Sequence, residues 1–172
     1  MKNLFLIGGT MGVGKTTACQ ILKRKLRNSV FLDGDWCWDM HPFLVIEETK
    51  KMVMNNICFL LNSFLRCSVY ENIIFCWVMH EQAIVDEIIA RLDLSDCAYF
   101  PVSLVCGKEA LQARLQLDVN AGIRDEEAIL RSVDRIPLYE KLDTCKIDVT
   151  GISPEETADL IIRRCETSIS DS

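Results

Sequence analysis

The opening stretch Asn3-Leu4-Phe5-Leu6-Ile7-Gly8-Gly9-Thr10-Met11-Gly12-Val13-Gly14-Lys15-Thr16-Thr17 decides the fold. It joins a short apolar run, which reads as a strand, to a turn that satisfies G-x-x-x-x-G-K-[ST] from Gly9 to Thr16. Each fixed residue has a mechanical role. The glycines let the backbone curl so that successive N–H groups face an anion. Lys15 is placed to reach the outer phosphates of a nucleotide, and Thr16 carries the hydroxyl that ligates Mg²⁺. A helix beginning at Lys15 turns its positive end toward the same charge. Gly9, Met11, Gly12, Val13, Gly14, Lys15, Thr16 and Thr17 are therefore the candidate nucleotide contacts.

Outward from this unit, short apolar runs alternate with longer amphipathic ones. A helix is expected over 15–26, then a strand over 29–32 that ends at Asp33. A long helix over 47–66 places Val53, Ile57, Leu60, Leu61, Phe64 and Leu65 at helical spacing. Residues 72–78 form a strand with no polar alternation, as a parallel strand covered on both faces requires. Helix 81–92, strand 98–106, helix 108–119 and helix 125–142 follow, the last with a disturbance expected at Pro137. A final strand over 146–149 leads to Ser153, Pro154 and Glu156, the signature of a capping box opening the last helix. The alternation predicts a three-layer α/β/α domain built on one doubly wound, parallel, five-stranded sheet. That domain is expected over 1–167, with a loose tail over 168–172.

Composition narrows the functional classes. The chain has 172 residues, 49% of them hydrophobic and 26% charged, with a net charge of −6. A single soluble domain accommodates these values. The acidic balance argues against nucleic acid or an anionic membrane as the main partner. The apolar run at residues 4–7 is too short for a signal peptide, and no stretch has the length of a membrane span. A cytoplasmic protein is expected, as a monomer or a homodimer. Nine cysteines, at 19, 37, 58, 67, 76, 97, 106, 145 and 165, show neither C-x-x-C nor close pairing. Scattered in this way they read as core residues of a reducing compartment rather than as a disulfide framework or a zinc site.

Beyond the second strand stands Leu32-Asp33-Gly34-Asp35. Ligands of an open parallel sheet lie past the carboxyl ends of its strands, so these carboxylates either face the phosphates or form an ordinary solvated turn. With the phosphate loop, this Asp-x-Asp resembles the small-metabolite P-loop kinases: gluconate, shikimate and chloramphenicol kinases and their relatives. The resemblance implies the P-loop nucleotide-kinase fold, ATP and Mg²⁺ as cofactors, and transfer of the γ-phosphoryl group to a hydroxyl. It implies Thr16 and Asp33 as the metal residues, and Lys15 and Asp35 as catalytic ones, Asp35 acting as base or orienter of the acceptor.

The same resemblance makes 118–140 a lid. Arg124 and Arg131 would then neutralise charge on the transferred group, and Arg114 would lie near adenine or phosphate. The competing reading is a set of surface arginines paired with Asp118, Asp125, Glu126 and Glu127. The strand 72–78 is followed by Met79-His80-Glu81 and lacks a closing aspartate, which disfavours switch GTPases and motor ATPases. His80 is either an acceptor contact or a helix-entry residue.

The acceptor itself is bounded by charge. Between Gly34 and Ala90 the only cations are Lys50, Lys51 and Arg66, all within the long helix. A nucleotide acceptor would demand a phosphate clamp there. Every tryptophan instead lies near these strand ends: Trp36, Trp38 and Trp77. They suit the walls of a small, non-phosphorylated acceptor, or they serve packing alone. A nucleotide kinase and a non-catalytic ATP-binding regulator are the alternatives.

Overall fold

The computed structural model describes residues 1–170, with side chains through 165. Five strands, β1 (Lys2–Gly9), β2 (Ser29–Asp33), β3 (Asn72–Trp77), β4 (Cys97–Val105) and β5 (Cys145–Asp148), form one sheet in the order β2-β3-β1-β4-β5. All four pairings are parallel. Six helices connect and follow the strands: α1 (Lys15–Lys25), α2 (Glu47–Arg66), α3 (Gln82–Ala90), α4 (Lys108–Asn120), α5 (Glu126–Glu140) and α6 (Pro154–Ser170). The three-layer architecture expected from the sequence is the one observed. Among the described residues, no helix is long and apolar enough to cross a membrane.

The period of two along each strand assigns side chains to two cores. Phe5, Ile7, Ile74 and Cys76 join a cluster with α1, α4 and α6 on one face. Leu4, Leu6, Ile73 and Phe75 join Val53, Ile57, Leu61 and Ile88 of α2 and α3 on the other. With both faces covered, the central strands have no polar alternation. Five of the nine cysteines are buried, and all nine are free thiols.

Prolines mark two local adjustments. Pro101 lies inside β4, opposite Leu6 of β1, but β5 pairs with β4 only from Val102 onward. Pro101 thus sits where β4 has a single strand neighbour, the tolerated setting for a residue without an N–H. Pro137, in contrast, does not break α5, which continues to Glu140 as one helix. The position lies close enough to the helix end that the lost bond is confined to its last turns. At the C terminus α6 runs through Ser170, so the first residues of the expected tail are helical, and 171–172 lie outside the described residues.

The capping box predicted for α6 is present. The Ser153 N–H donates to Glu156 Oε2 at 2.8 Å, and the Glu156 N–H donates to Ser153 Oγ at 3.2 Å. Ser153→Ala removes the side-chain acceptor and should cost about 1 kcal/mol. A thermal melt should register this as a fall of roughly 2–4 °C in Tm.

Candidate nucleotide and acceptor site

Sheet register sets the site. Gly8 of β1 stands beside Trp77 of β3, and Cys76 stands beside Asp33 of β2. The phosphate loop, Asp33 and Trp77 are thereby delivered to one carboxyl edge. The loop crosses close to α4: a Cβ on Gly12, whose φ is 81°, would lie 2.6 Å from Leu115 Cδ2. Its left-handed backbone and the approach of α4 both demand glycine.

Helix α1 begins with no side-chain cap and no acidic residue in its first turn, and Gly14 precedes it in a left-handed conformation. Helix α5, by comparison, is capped by Asp125, whose side chain accepts from the Ala128 N–H at 2.8 Å. The first N–H groups of α1 are therefore left without a side-chain acceptor, as an anion-binding terminus requires.

Lys15 is buried, and its ammonium donates to the carbonyls of Gly9 at 2.8 Å and Thr10 at 3.0 Å. Burial lowers its pKa, while the fields of Cys76, Asp35 and Asp33 oppose that shift. Thr10, also buried, fixes the loop from the other side by donating to the Ser132 carbonyl of α5 at 2.9 Å. The role of Thr10 was not foreseen, because the motif leaves that position open.

Thr16 Oγ1 donates to Asp33 Oδ2 at 2.6 Å. This contact places a neutral hydroxyl oxygen and a carboxylate together beside the phosphate loop. The pair fits Mg²⁺, which takes few protein ligands and relies on phosphate oxygens and water for the rest. Asp33 Oδ1 accepts from the Asp35 N–H at 3.1 Å and so caps a 3₁₀ helix, Gly34–Trp38. That turn resolves how two carboxylates so close in sequence can serve one site. Burial raises the Asp35 pKa and the Asp33 charge adds to the effect. Lys15, Arg124 and the hydrogen bond from the Trp77 side chain pull it back down.

The tryptophans divide between the two faces. Trp36 is largely exposed and meets Phe31 edge-on, with ring centroids 5.4 Å apart, on the α1 side. Trp38 and Trp77 pack against the α2 side. Trp77 lies against the Gly34 backbone, where a Cβ would come within 2.5 Å of its Cγ. The structure thus brings Trp77 to Asp35, seats Trp38 on the α2 side and sets Trp36 against Phe31. Nδ1 of His80 is buried without a partner, and its Nε2 lies 3.4 Å from Glu81.

Arg114 donates to the carbonyls of Val13, Val149 and Thr150, at 3.3, 2.8 and 3.3 Å. It helps to line a cavity of about 140 Å³ with Val13, Gly14, Val149, Ile152, Pro154 and Thr157. This cavity adjoins the phosphate loop at the β5–α6 connection. Of these, Pro154 is legible in the sequence only as part of a helix start, and Ile152 and Thr157 carry no motif. The other two arginines are held by acids of their own segment: Arg124 Nε by Asp118 at 2.9 Å, and Arg131 by Glu127 at 3.1 Å and Asp125 at 3.4 Å.

A parallel sheet of this order, with a phosphate loop after β1 and an acidic turn after β2, defines a P-loop kinase fold. Residues 6–131 match the family model for the AAA domain, and the chain belongs to that family. No curated protein matches the sequence. Among solved structures, the fold is similar to a gluconokinase from Sinorhizobium meliloti 1021, with a TM-score of 0.69 at 15% identity, covering 99% of this chain and 97% of the other. The tunicamycin resistance protein of Deinococcus radiodurans gives a TM-score of 0.66 at 14% identity, with 96% of each chain covered. Shikimate kinase from Acinetobacter baumannii, solved with shikimate, gives 0.63 at 20% identity, covering 98% and 94%.

The contact between Gly34 and Trp77 can be tested without any ligand. Gly34→Ala forces a methyl group onto the indole and should destabilise the fold by about 1–3 kcal/mol, the range of overpacked sites. Urea denaturation should show the loss, and Trp77 should change its emission in the folded protein.

Proposed function

We propose that the protein transfers the γ-phosphoryl group of Mg·ATP to a hydroxyl of a small, non-phosphorylated acceptor. The observation that carries this reading is the meeting of the buried Lys15 ammonium, the Thr16–Asp33 pair and Asp35 at one edge of the sheet. Mg·ATP supplies the transferable phosphoryl group and the metal charge that steadies it. Lys15 and the free N–H groups at the start of α1 bind the phosphate oxygens. Thr16 and Asp33 would hold the metal. Asp35 orients the acceptor hydroxyl and takes its proton as that oxygen bonds to phosphorus, while the bridging oxygen stays with ADP. Its raised pKa makes it a stronger base than an exposed aspartate. The cavity beside Arg114 supports an adenine site there. On this reading Arg124 and Arg131 would neutralise charge on the transferred group once their ion pairs open, and His80 would contact the acceptor. A cytoplasmic setting accords with this chemistry.

Between Gly34 and Ala90 no lysine or arginine lies outside the long helix, which supports an acceptor without a phosphate. Lys50, within the long helix, is already paired with Glu47 at 2.8 Å. A screen of ADP release across sugars, polyols, nucleosides and nucleotides tests the reading. Turnover only with nucleoside monophosphates would favour a nucleotide kinase, and ATP binding without stimulated turnover a regulatory protein.

Lys15→Ala should lower acceptor-stimulated ADP release by at least about 10²-fold, the scale of one lost transition-state charge contact. Asp35→Asn should depress turnover while leaving Mg·ATP affinity, measured by calorimetry, nearly unchanged. Near-normal ADP release from the Lys15 variant would sink the kinase reading.

A further inference from the structure

Trp77 and Asp35 belong to different segments, and backbone geometry brings them into contact. Parallel pairing sets Asp33 of β2 beside Cys76 of β3, so Gly34 leaves the sheet level with Trp77. A Cβ on Gly34 would meet three atoms of Trp77 first: Cγ at 2.5 Å, Cδ1 at 2.6 Å and Cβ at 2.9 Å. The pyrrole edge of the indole therefore lies on the Gly34 backbone, and only a residue without a side chain admits it. Nε1 is bonded to Cδ1, so this edge carries the indole N–H toward the next residue. That N–H is hydrogen-bonded to the Asp35 carboxylate.

Asp35 needs such a partner. Its backbone is fixed, because its N–H donates to Asp33 Oδ1 at 3.1 Å, but the residue itself is exposed. An exposed aspartate has several staggered rotamers open to it. The fields of Lys15 and Arg124 both act on this carboxylate, and a freely rotating one can turn toward either cation. An indole N–H is a neutral donor with no accepting capacity. It sets the direction of the carboxylate without cancelling its charge. The lone pairs it leaves unused remain available to a hydroxyl proton.

We propose that Trp77 is a positioning residue: its indole N–H, seated on Gly34, holds the Asp35 carboxylate in the orientation that receives the acceptor's proton. The inference rests on the phosphotransfer reading above. It also gives the glycine of Asp33-Gly34-Asp35 a function, since a side chain at position 34 would push the indole away from the base. Trp77 thus serves the acceptor through Asp35. The leverage is large, because misplacing a reacting group by about 1 Å can cost about 10²-fold in rate.

The indole N–H signals in NMR spectra of the full chain report the contact without any ligand. Trp77→Phe identifies the Trp77 signal by its loss. Asp35→Ala should move that signal upfield and speed its exchange with solvent, and a signal that does neither overturns the proposal. Benzothienylalanine at position 77 keeps the fused ring and replaces only the N–H, by sulfur, so it tests the role even where Trp77→Phe loses packing. The kinetic probe is Mg·ATP with water as the acceptor. Its oxygen bonds to phosphorus, Asp35 takes a proton, and the bridging oxygen leaves with ADP, giving inorganic phosphate. ADP release should fall about 10- to 100-fold with the analogue, the worth of one hydrogen bond to a charged group. Mg·ATP affinity in calorimetry should not change. In an Asp35→Ala background the analogue should cost nothing further. Unchanged ADP release with the analogue, or an equal loss in that background, overturns the positioning role and leaves the kinase reading standing. An indole signal that answers to Asp35→Ala in a protein releasing no ADP, with water or with any acceptor of the screen above, keeps the contact but rejects the kinase reading, and with it the role in transfer.

Discussion

The rest of the site depends on a buried cation with no carboxylate in direct contact. Among the described residues Lys15 forms no ion pair, and its ammonium rests on two loop carbonyls. An ammonium has three donors, so one remains for a ligand. Removing such a charge from water costs several kcal/mol even after relaxation. The carbonyl contacts and the more distant fields of Asp33 and Asp35 offset part of that cost, while burial still lowers the pKa. A phosphate would complete both the hydrogen bonding and the charge balance. The loop's stability and its anion affinity are thus two results of one arrangement.

That arrangement requires the sheet. The strand order places β1 between β3 and β4, while Asp33 arrives on the edge strand β2. The Thr16–Asp33 hydrogen bond spans this distance by joining the first turn of α1 to the end of β2. Asp33 serves a second time as the cap of the 3₁₀ helix that carries Asp35. One carboxylate therefore couples the phosphate loop to the turn that carries Asp35. Both of its oxygens are engaged, which fixes its orientation without the closing aspartate that β3 lacks.

Much of this was legible in the sequence, for physical reasons that differ from residue to residue. The phosphate loop was readable because each fixed position answers a local backbone demand, as Gly12 does. The two cores were readable because burial imposes a period on strands and helices. The Ser153–Glu156 cap was readable because its partners are close in the chain. What escaped was three-dimensional. The 3₁₀ geometry separates Trp36 from Trp38, although sequence proximity suggested one wall. Thr10 gains its role only because α5 passes above it. Pro137 reads locally as a disturbance, yet α5 continues through it to Glu140 as one helix.

The arginines of the proposed lid, Arg124 and Arg131, are held in ion pairs of their own. Arg124 is half-buried and Arg131 exposed, and each is paired with acids of the same 118–140 segment. Pairs of this exposure contribute about 0–1 kcal/mol, because water screens them and the side chains lose freedom. A multiply charged phosphate in a dry site attracts a guanidinium far more strongly than one lid carboxylate does. The pairs therefore store little stability that a nucleotide, on the proposed reading, would have to overcome. Arg124, whose field already reaches Asp35, is the better placed to exchange Asp118 for the ligand. In the structure its pairing with Asp118 compensates its charge. On the proposed reading, the acids that pair with these arginines would give way to a nucleotide at little cost in stability.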